Sequence, residues 1–409
     1  MTIKINQIGK ILLYVYIFMC FNAVDMIVPS SLKSITLFVF LGFGVIYCII
    51  IKYGRICFSQ HTKWYITFMA LSFLSMLYSP GGIQLFSGKF YLMIVACCIS
   101  FFMQEFIDTT EAIEGLAWAF SVASTVLIIS LYITGNLSGT VNNRLGSDLM
   151  GNANTFASMI MIAVFFQLWL LIYCDYKILN RIYLFISVLA NLYGLALSAG
   201  RKFFVIPFVF MYVLLLVKQD KNGKKHMLKY TVAMITITFI AYSLIMKVSV
   251  LYDAIGYRME VLMKSVQGVS YTANNSVEIR PMLMKMAIDG WGKSPIWGHG
   301  FDSFKYLASY ALGKSWYSHC NYTEMLYNGG IIMFTFYNWI YLKLFVNILI
   351  NKCVSIKYKS FAIAILICML IYDYSAVNYE DTFAQMLIAV AFTCISLGEK
   401  EGIDKRWEK

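Results

Sequence analysis

The sequence is poor in charged residues and in proline. Charged side chains make up 13% of its 409 residues, compared with about 25% in soluble domains, whereas hydrophobic residues make up 60%. The core of a soluble protein cannot bury so many long apolar runs, and a lipid bilayer is the solvent in which they are stable. Because only five prolines occur, few of the helices should be broken.

Nucleotide and metal motifs are also missing. The sequence has no GxxxxGK[ST] loop, no GxGxxG after a strand, no HExxH and no paired-acid DxD. Ten cysteines are scattered, most of them in apolar runs, and none has the spacing of a metal site. These absences disfavour an enzyme that uses a nucleotide-sugar with a bound metal, and we expect neither a cofactor nor a metal.

Twelve apolar runs predict twelve membrane-spanning helices, since a span needs about 20 mostly apolar residues. The predicted spans are Ile11–Val28, Ile35–Ile51, Trp64–Tyr78, Lys89–Met103, Ile113–Thr134, Ala153–Cys174, Ile182–Leu197, Phe203–Val217, Tyr230–Met246, Met325–Ile350, Phe361–Val377 and Phe383–Leu397. The fold class is therefore an all-α polytopic membrane protein. Residues 1–247 hold nine spans, residues 248–322 form a large extracytoplasmic loop, and residues 323–409 hold three spans and a cytoplasmic tail.

The positive charge is explained by membrane topology. The formal net charge is +12, but the basic residues lie in short segments between apolar runs and form no single basic face, so we expect no nucleic-acid partner. Basic loops mark the cytoplasmic side. With both termini in the cytoplasm, 20 of the 33 basic residues lie on the cytoplasmic side. Six lie outside in short connections, and the other seven lie in the long loop, whose charges count little for orientation. Residues 218–226 are the strongest inside anchor.

The long loop is too long to be a passive connection. Four of its apolar residues recur with helical spacing and predict an amphipathic helix: Ile255, Met259, Leu262 and Val266. A second helix is expected to begin at Pro281, because proline suits the first helical turn. Four glycines and a proline in residues 290–300 predict tight turns.

Arginine is concentrated on the predicted outer side, where four of the seven arginines lie but only 9 of the 26 lysines. These four are Arg144, Arg201, Arg258 and Arg280. Arginine binds phosphate oxygens through two hydrogen bonds and stays charged at any pH, so they are candidate ligands of a phosphate-bearing lipid. A structural ion pair or anchoring at the membrane interface explains any one of them equally well.

Two of these arginines have specific surroundings. Arg201 lies in a very short connection near membrane depth, where a charge is costly and indicates function; the alternative is an interface anchor, as for Lys202. Arg144 lies among polar and small residues that can bind sugar or phosphate. The alternative is an ordinary loop in which Asn154 or Thr155 caps the next helix.

His319 is the candidate proton acceptor, because it directly precedes the tenth span and a neutral imidazole can accept a proton from a sugar hydroxyl. Asn321, Tyr322 and Glu324 follow it and are candidates for orienting it or for binding sugar. A structural role for a lone histidine is the equal alternative.

The other polar candidates are weaker. His299, flanked by glycines, is expected to serve a turn, and Asp302 nearby is a less favoured acid–base group. His61 and His226 are expected to be solvated residues of cytoplasmic loops.

The closing motifs resemble the O-antigen polymerase (Wzy) and O-antigen ligase superfamily. The chain has P-x-W-G-x-G-x-x-x-F followed by H-x-N-Y-x-E-x-L-x-x-G-G. The matching residues are Pro295, Gly298, Gly300, Phe304, His319, Asn321, Tyr322, Leu326, Gly329 and Gly330, and upstream Arg144, Gly146, Gly151, Asn152, Asn154, Ala157, Ser198 and Arg201. The pattern covers about the C-terminal two-thirds of the chain. It departs from the family in two places. Cys320 separates His319 from Asn321, and the family's Arg…Gly segments are met only approximately, by Arg258 with Gly268 and by Arg280 with Gly290.

The resemblance implies a GT-C-like membrane glycosyltransferase of the bacterial cytoplasmic (inner) membrane. Its donor and acceptor are undecaprenyl-pyrophosphate-linked glycans, polymerised into O-antigen or capsular polysaccharide on the outer face without a cofactor. Arg280 and Arg201 are expected to hold the pyrophosphate, with Arg144 or Arg258 as a further candidate. His319 is expected to act as general base on the acceptor hydroxyl or to orient it. Whether a chain-length regulator binds stays open.

Two alternatives remain. An O-antigen ligase would transfer the glycan to lipid A–core instead, and the weak match to the His-Asn pair favours the polymerase. A flippase for the same lipid also fits twelve helices, but would place its charges at mid-membrane in broken helices.

Overall fold

The computed structural model describes residues 5–24, 27–54, 56–140, 143–219, 226–266 and 275–407. These residues form helices and connecting turns, with no β-strand in the described ranges. Of the predicted features, Gly268 and residues 220–225 of the inside anchor lie outside the described residues.

Seventeen α-helices follow one another along the described chain. They are α1 (Ile5–Asn22), α2 (Ser31–Ile46), α3 (Gln60–Met76), α4 (Lys89–Phe106), α5 (Thr110–Ile133), α6 (Ser147–Met150), α7 (Ala153–Tyr173), α8 (Ile178–Leu197), α9 (Arg201–Val217), α10 (Met227–Lys247), α11 (Ser249–Leu251), α12 (Tyr257–Val266), α13 (Asn275–Trp291), α14 (Phe304–Leu312), α15 (Asn321–Ile350), α16 (Ile356–Ser375) and α17 (Thr382–Trp407). Two π-helical turns, Tyr47–Ile51 and Tyr252–Gly256, and a 3-10 helix, Gly82–Ser87, complete the set.

Nine helices of the described chain are long and apolar enough to cross a membrane: α1, α2 with the π-helical turn after it, α4, α5, α7, α8, α10, α15 and α17. This agrees with the predicted all-helical fold and is compatible with a polytopic membrane protein. Helices α3, α9 and α16 coincide with three further predicted spans but do not meet the same measure of length and hydropathy. Twelve spans and an exported loop therefore stay a prediction.

Helix α7 forms the centre of the bundle. It packs against α5, α8 and α9, and most of its residues are buried. Gln167, fully buried in this helix, donates to Ser187 Oγ at 2.6 Å and accepts from Asn191 Nδ2 at 3.2 Å. Its side-chain amide is thus paired between helices, as a buried polar group requires.

His61 is buried rather than solvated. Its side chain is fully enclosed in α3, with Nε2 3.3 Å from Gln385 Oε1 of α17. The predicted loop position was wrong because the partner lies 324 residues away in the sequence. His226 is exposed at the start of α10, as predicted.

Helix α13 begins at Asn275, so the prediction that it starts at Pro281 was wrong. A proline inside a helix removes one N–H donor, and burial of Leu283 and Ala287 against Phe304 holds the helix in place nonetheless.

The other predicted loop helix is found as α12, directly after a π-helical turn. Ile255 is fully buried in that turn and Met259 packs against the core, whereas Leu262 is exposed. The predicted turns occur between Trp291 and Gly300.

Helix α15 is broken at Gly330, where φ is 62° and ψ is −163°. The turn before α14 packs into the break, and the Ile331 N–H donates to the Pro295 carbonyl at 2.9 Å. A Cβ on Gly330 would lie 2.2 Å from the Ile296 carbonyl oxygen, and one on Gly298 would lie 2.5 Å from the Gly330 nitrogen. Both positions require glycine, so the two C-terminal sequence motifs form one packed unit.

Candidate functional site

A cavity of about 560 Å³ lies at one end of the bundle. We call it the cationic cavity after the basic side chains that line it: Arg144, Arg201, Lys202, Arg258, Arg280 and His319. Among the described residues, no aspartate or glutamate lines it. The structure therefore brings together all four arginines and the histidine selected from the sequence. Their chemical roles stay a prediction.

The cavity residues come from distant segments of the chain. Arg144 lies between α5 and α6, Arg201 and Lys202 begin α9, and Arg258 belongs to α12. Arg280 lies in α13, and the end of α16 completes the wall. The helices of residues 248–322 thus form part of the wall rather than a separate unit.

Arg144 is held by neutral acceptors. Its Nε donates to the Ser198 carbonyl at 2.8 Å and one terminal nitrogen donates to Asn154 Oδ1 at 3.0 Å. The expected capping role of Asn154 or Thr155 was wrong, because Asn152 caps α7 by accepting from the Asn154 N–H at 2.8 Å. The Asn154 side chain is therefore left to orient Arg144.

Arg201 and Arg258 are both fixed by backbone carbonyl groups. Arg201 donates to the Arg258 carbonyl at 3.0 Å, and Arg258 donates to the Ala199 carbonyl at 3.3 Å. Ala199 has φ of 53°, a left-handed conformation that is costly for a residue with a Cβ. Arg258 Nε is buried and has no hydrogen-bond partner among the described residues, so one donor remains for a ligand.

Lys202 also lines the cavity, although the sequence indicated only its neighbour Arg201 as a candidate ligand. Its Nζ donates to the Ser375 carbonyl at 2.6 Å and lies 4.8 Å from the ring centre of Phe203 and 5.2 Å from that of Tyr372. The aromatic faces stabilise the ammonium without neutralising its charge. The partners are distant in sequence, so no local pattern indicated this contact.

The basic groups raise one another's electrostatic energy. Burial, followed by the charges of Arg258, Arg280 and Arg201, lowers the pKa of Arg144 to about 10. Burial and then Arg280 lower the pKa of Arg258. Lowered pKa values at arginine mean that the charged form is disfavoured by its surroundings. An anion placed among these groups would relieve that repulsion.

His319 has a strained backbone, with φ of 61°. Its ring packs 4.1 Å from the ring of Tyr317, centre to centre. Burial, then the charges of Arg280 and Lys202, lowers its pKa to about 3. The imidazole is therefore neutral near pH 7 and a weak base in the unliganded protein.

Three predicted substrate-binding residues lie apart from the cavity lining. Asn321 is fully buried, and the Tyr322 hydroxyl donates to the Leu370 carbonyl at 2.9 Å. Glu324 is buried and accepts from the Ser318 N–H at 2.8 Å. These contacts hold the start of α15 and the segment that carries His319, which is a positioning role.

Two further predicted roles can be compared with the contacts. His299 Nε2 lies 2.8 Å from the Gly290 carbonyl and its ring stacks on Tyr327, in keeping with a role in the turn. Asp302 is ion-paired with Lys89 at 2.9 Å and with Lys305 at 2.6 Å.

Lys89 lies near three carboxylates. We call these carboxylates, together with Lys89 and Lys305, the Lys89 network. Besides Asp302, its Nζ lies 3.8 Å from Glu324 Oε1 and 3.9 Å from Glu380 Oε1. Burial, with help from Asp302 and Glu324 and against the effect of Lys89, raises the pKa of Glu380 to about 7. Sequence reasoning missed Lys89 and Glu380, because their segments are far apart in the chain.

An apolar groove of about 420 Å³ runs beside the cationic cavity between α7, α8, α9 and α10. Helix α9 connects the two: five of its first six residues, beginning with Arg201, contribute to the cavity, while Pro207, Phe208 and Met211 line the groove. The groove lining contains only apolar residues. The two spaces therefore differ in character: one is lined by basic side chains and the other by apolar side chains.

No group of three or more histidine, cysteine, aspartate or glutamate side chains in the described ranges is arranged to hold a metal ion. In the comparisons with known proteins, no family model and no curated protein matches the chain.

Proposed function

We propose that the protein is a membrane glycosyltransferase that polymerises undecaprenyl-pyrophosphate-linked repeat units into O-antigen or capsular polysaccharide. The observation that carries the proposal is the convergence of four arginines and a lysine on one cavity, with no carboxylate among its described lining, beside a wholly apolar groove. The resemblance of the sequence motifs to the polymerase and ligase superfamily supports the same function.

The cavity suits a pyrophosphate. An opposite charge about 4 Å away contributes roughly 4 kcal/mol at an effective dielectric constant of about 20, and arginine adds paired hydrogen bonds to phosphate oxygens. Arg144, Arg201 and Arg258 are already fixed by carbonyl and amide acceptors. Little side-chain entropy is therefore lost when the anion binds.

The groove suits the polyprenyl chain. A prenyl tail gains no hydrophobic free energy by moving from lipid into the groove, because lipid is equally apolar. The groove instead positions the tail of the lipid, so that the pyrophosphate reaches the start of α9. Pro207 lies six residues after Arg201, about 9 Å along the helix axis, so α9 carries residues of the cavity and of the groove within about two turns.

The proposed reaction is a single displacement. The acceptor hydroxyl oxygen attacks the anomeric carbon of the donor glycan, the bond from that carbon to the pyrophosphate oxygen breaks, and the configuration inverts. The arginines stabilise the negative charge that develops on the leaving pyrophosphate. His319 accepts or orients the hydroxyl proton. A bound anion would raise the pKa of His319 by offsetting Arg280 and Lys202, and would make it a stronger base.

We place the protein in the bacterial cytoplasmic membrane with both termini inside and the cavity on the outer face. Support comes from the basic inside anchor, which begins at Lys218 after α9, whereas the cavity lies at Arg201 where α9 begins. The 17-residue helix separates the two ends by about 25 Å.

A flippase is the second candidate. It is favoured by the break in α15 at Gly330 and by Asp373, which is fully buried in α16, because transporters place charges in broken helices. The break is filled by the turn at Pro295, however, and the cations cluster at one end of the bundle. We therefore favour transfer over transport. A ligase would differ only in its acceptor.

Deleting the protein from its host distinguishes these functions. Loss of a polymerase is expected to leave single repeat units on the final acceptor, whereas loss of a ligase leaves long chains on the carrier lipid. Gel electrophoresis of the polysaccharide and chromatography of the lipid-linked fraction measure both. An unchanged ladder of chain lengths in the deletion strain would count against every form of the proposal.

A further inference from the structure

A group of polar side chains is enclosed where α15 meets the end of α16, and none of them lines the cationic cavity. All are at most 4% exposed. We call this group the Asp373 cluster, and its members are Asn321, Tyr337 and Tyr341 of α15, Asp373 of α16 and Asn378 of the connection before α17. The proposed transfer reaction gives these side chains no chemical role.

The break in α15 brings the cluster together. A straight helix would separate Asn321 from Tyr337 by about 24 Å, yet the two side chains are neighbours. The break at Gly330 turns the two halves of the helix towards each other. For the same reason the ring centres of Tyr322 and Phe334 lie only 6.3 Å apart. The cluster therefore joins both halves of α15 to α16.

The carboxylate of Asp373 has no opposite charge beside it. Its Oδ2 accepts from the Tyr341 hydroxyl at 2.8 Å, and the side chains of Asn321 and Asn378 are its other polar neighbours. No described basic side chain forms an ion pair with it, and the start of α15 supplies only a partial positive charge. A fully buried carboxylate without a counter-charge is costly, so a further species must neutralise it.

Four buried atoms of the cluster have no hydrogen-bond partner among the described residues: Asp373 Oδ1, Asn321 Oδ1, Asn321 Nδ2 and Asn378 Nδ2. A proton on Asp373 would pair the two oxygens and leave both nitrogens without an acceptor. A water molecule alone would leave the charge in place. A cation that carries a water satisfies all four atoms, because the oxygens bind the ion and the water accepts from the nitrogens.

We propose that the Asp373 cluster binds one alkali-metal cation, Na⁺ or K⁺, with Asp373 Oδ1 and Asn321 Oδ1 among its ligands. One carboxylate balances one positive charge. Ca²⁺ and Mg²⁺ are usually held by more carboxylate charge, and the described residues contain no group of three or more acidic, histidine or cysteine side chains that could hold them. The inference does not depend on the proposed function.

The ion would fix two segments that border the cationic cavity. Asn321 follows His319 by two residues, and Asp373 precedes Ser375 by two residues; His319 and Ser375 both line the cavity. The cation thus has a positioning role, since it ties the start of α15 to the end of α16.

The test measures the melting temperature of the purified full-length protein in detergent, in chloride salts of equal ionic strength. Replacing N-methylglucamine by Na⁺ or K⁺ is expected to raise the melting temperature by about 3 °C, with saturation, because a ligand that binds only the folded state stabilises it. Equilibrium binding of radiolabelled sodium, with potassium as competitor, should saturate at one ion per chain.

Three variants locate the site. Asp373→Asn keeps the shape of the side chain but removes its charge, and should lose both the sodium binding and the rise in melting temperature. Asp148→Asn makes the same change at an exposed carboxylate of α6 and should keep both. Asn321→Ala, which retains the charge, should raise the half-saturating sodium concentration by about tenfold or more.

Equal melting temperatures in all three salts would overturn the inference. So would a rise that persists in Asp373→Asn or, where that variant does not fold, an unchanged half-saturating concentration in Asn321→Ala. A melting temperature that responds to pH and not to the cation would identify a proton on Asp373 instead of an ion. None of these measurements needs glycan elongation, so failure of the proposed function would leave the inference standing.

Discussion

Glycan elongation is expected to fall by about 100-fold or more when Arg280 is replaced by alanine. Removing one preorganised donor from developing negative charge costs roughly that much in the rate. Arg280 lines the cationic cavity and its charge lowers the pKa of Arg144, Arg258 and His319, so it is electrostatically coupled to the other basic groups. Polysaccharide chain length in cells, at equal membrane levels of the variant, measures the effect.

Lys285 provides the control for Arg280. It is an exposed cation on the same helix and does not line the cavity. Lys285→Ala should therefore give a normal ladder of chain lengths. Arg280→Lys should recover only part of the activity, since lysine cannot form paired hydrogen bonds to phosphate. Equal ladders for Arg280→Ala and Lys285→Ala would contradict the assigned role.

Replacing Gly330 with alanine is expected to lower the free energy of unfolding by about 3 kcal/mol or more. The residue has φ of 62°, and an added Cβ would lie 2.2 Å from the backbone oxygen of Ile296. Backbone atoms cannot move aside as a flexible side chain can. The turn at Pro295 would be pushed out of the break in α15. The melting temperature of the purified protein in detergent should drop, with loss of activity.

Gly42 is the matched control for Gly330. It lies in α2, and a Cβ there would have nothing within 4 Å. Alanine is favoured over glycine inside a helix by roughly 0.5–1 kcal/mol, so Gly42→Ala should melt at the same temperature as the unmodified protein or slightly higher. Similar melting of Gly42→Ala and Gly330→Ala would show that the break in α15 does not depend on glycine.

The helices could be predicted from the sequence because each apolar run is continuous along the chain. Every predicted span coincides with a helix. Most boundaries differ by a few residues, but α1 begins six residues before its predicted span and α17 ends ten residues after its own. Contacts between residues distant in the sequence were harder to predict. His61 looked like a loop residue among polar neighbours, and only the contact with Gln385, 324 residues away, explains its burial. Pro281 suggested a helix start, but the helix continues on both sides of it, with Ile279 packed before it and Leu283 and Ala287 buried after it.

Only part of the candidate site could be predicted from the sequence. Residue chemistry and the asymmetry of charge selected Arg144, Arg201, Arg258 and Arg280, and these line one cavity. Chemistry alone did not indicate where the residues after His319 point. Asn321, Tyr322 and Glu324 lie in the first turn of α15, where a helix distributes successive side chains around its axis. Asn321 and Tyr322 face α16, and Glu324 contacts Ser318 in the segment before α15.

The central claim is that the cationic cavity transfers glycan between lipid-linked substrates. Its most direct test supplies the purified protein in detergent with one lipid-linked repeat unit, without nucleotide and in the presence of a metal chelator, and separates the products by length. Our account predicts a ladder of longer lipid-linked glycans together with released polyprenyl pyrophosphate. A substrate that binds but stays a single unit, and crosses the bilayer only when the protein is placed in vesicles, would contradict it.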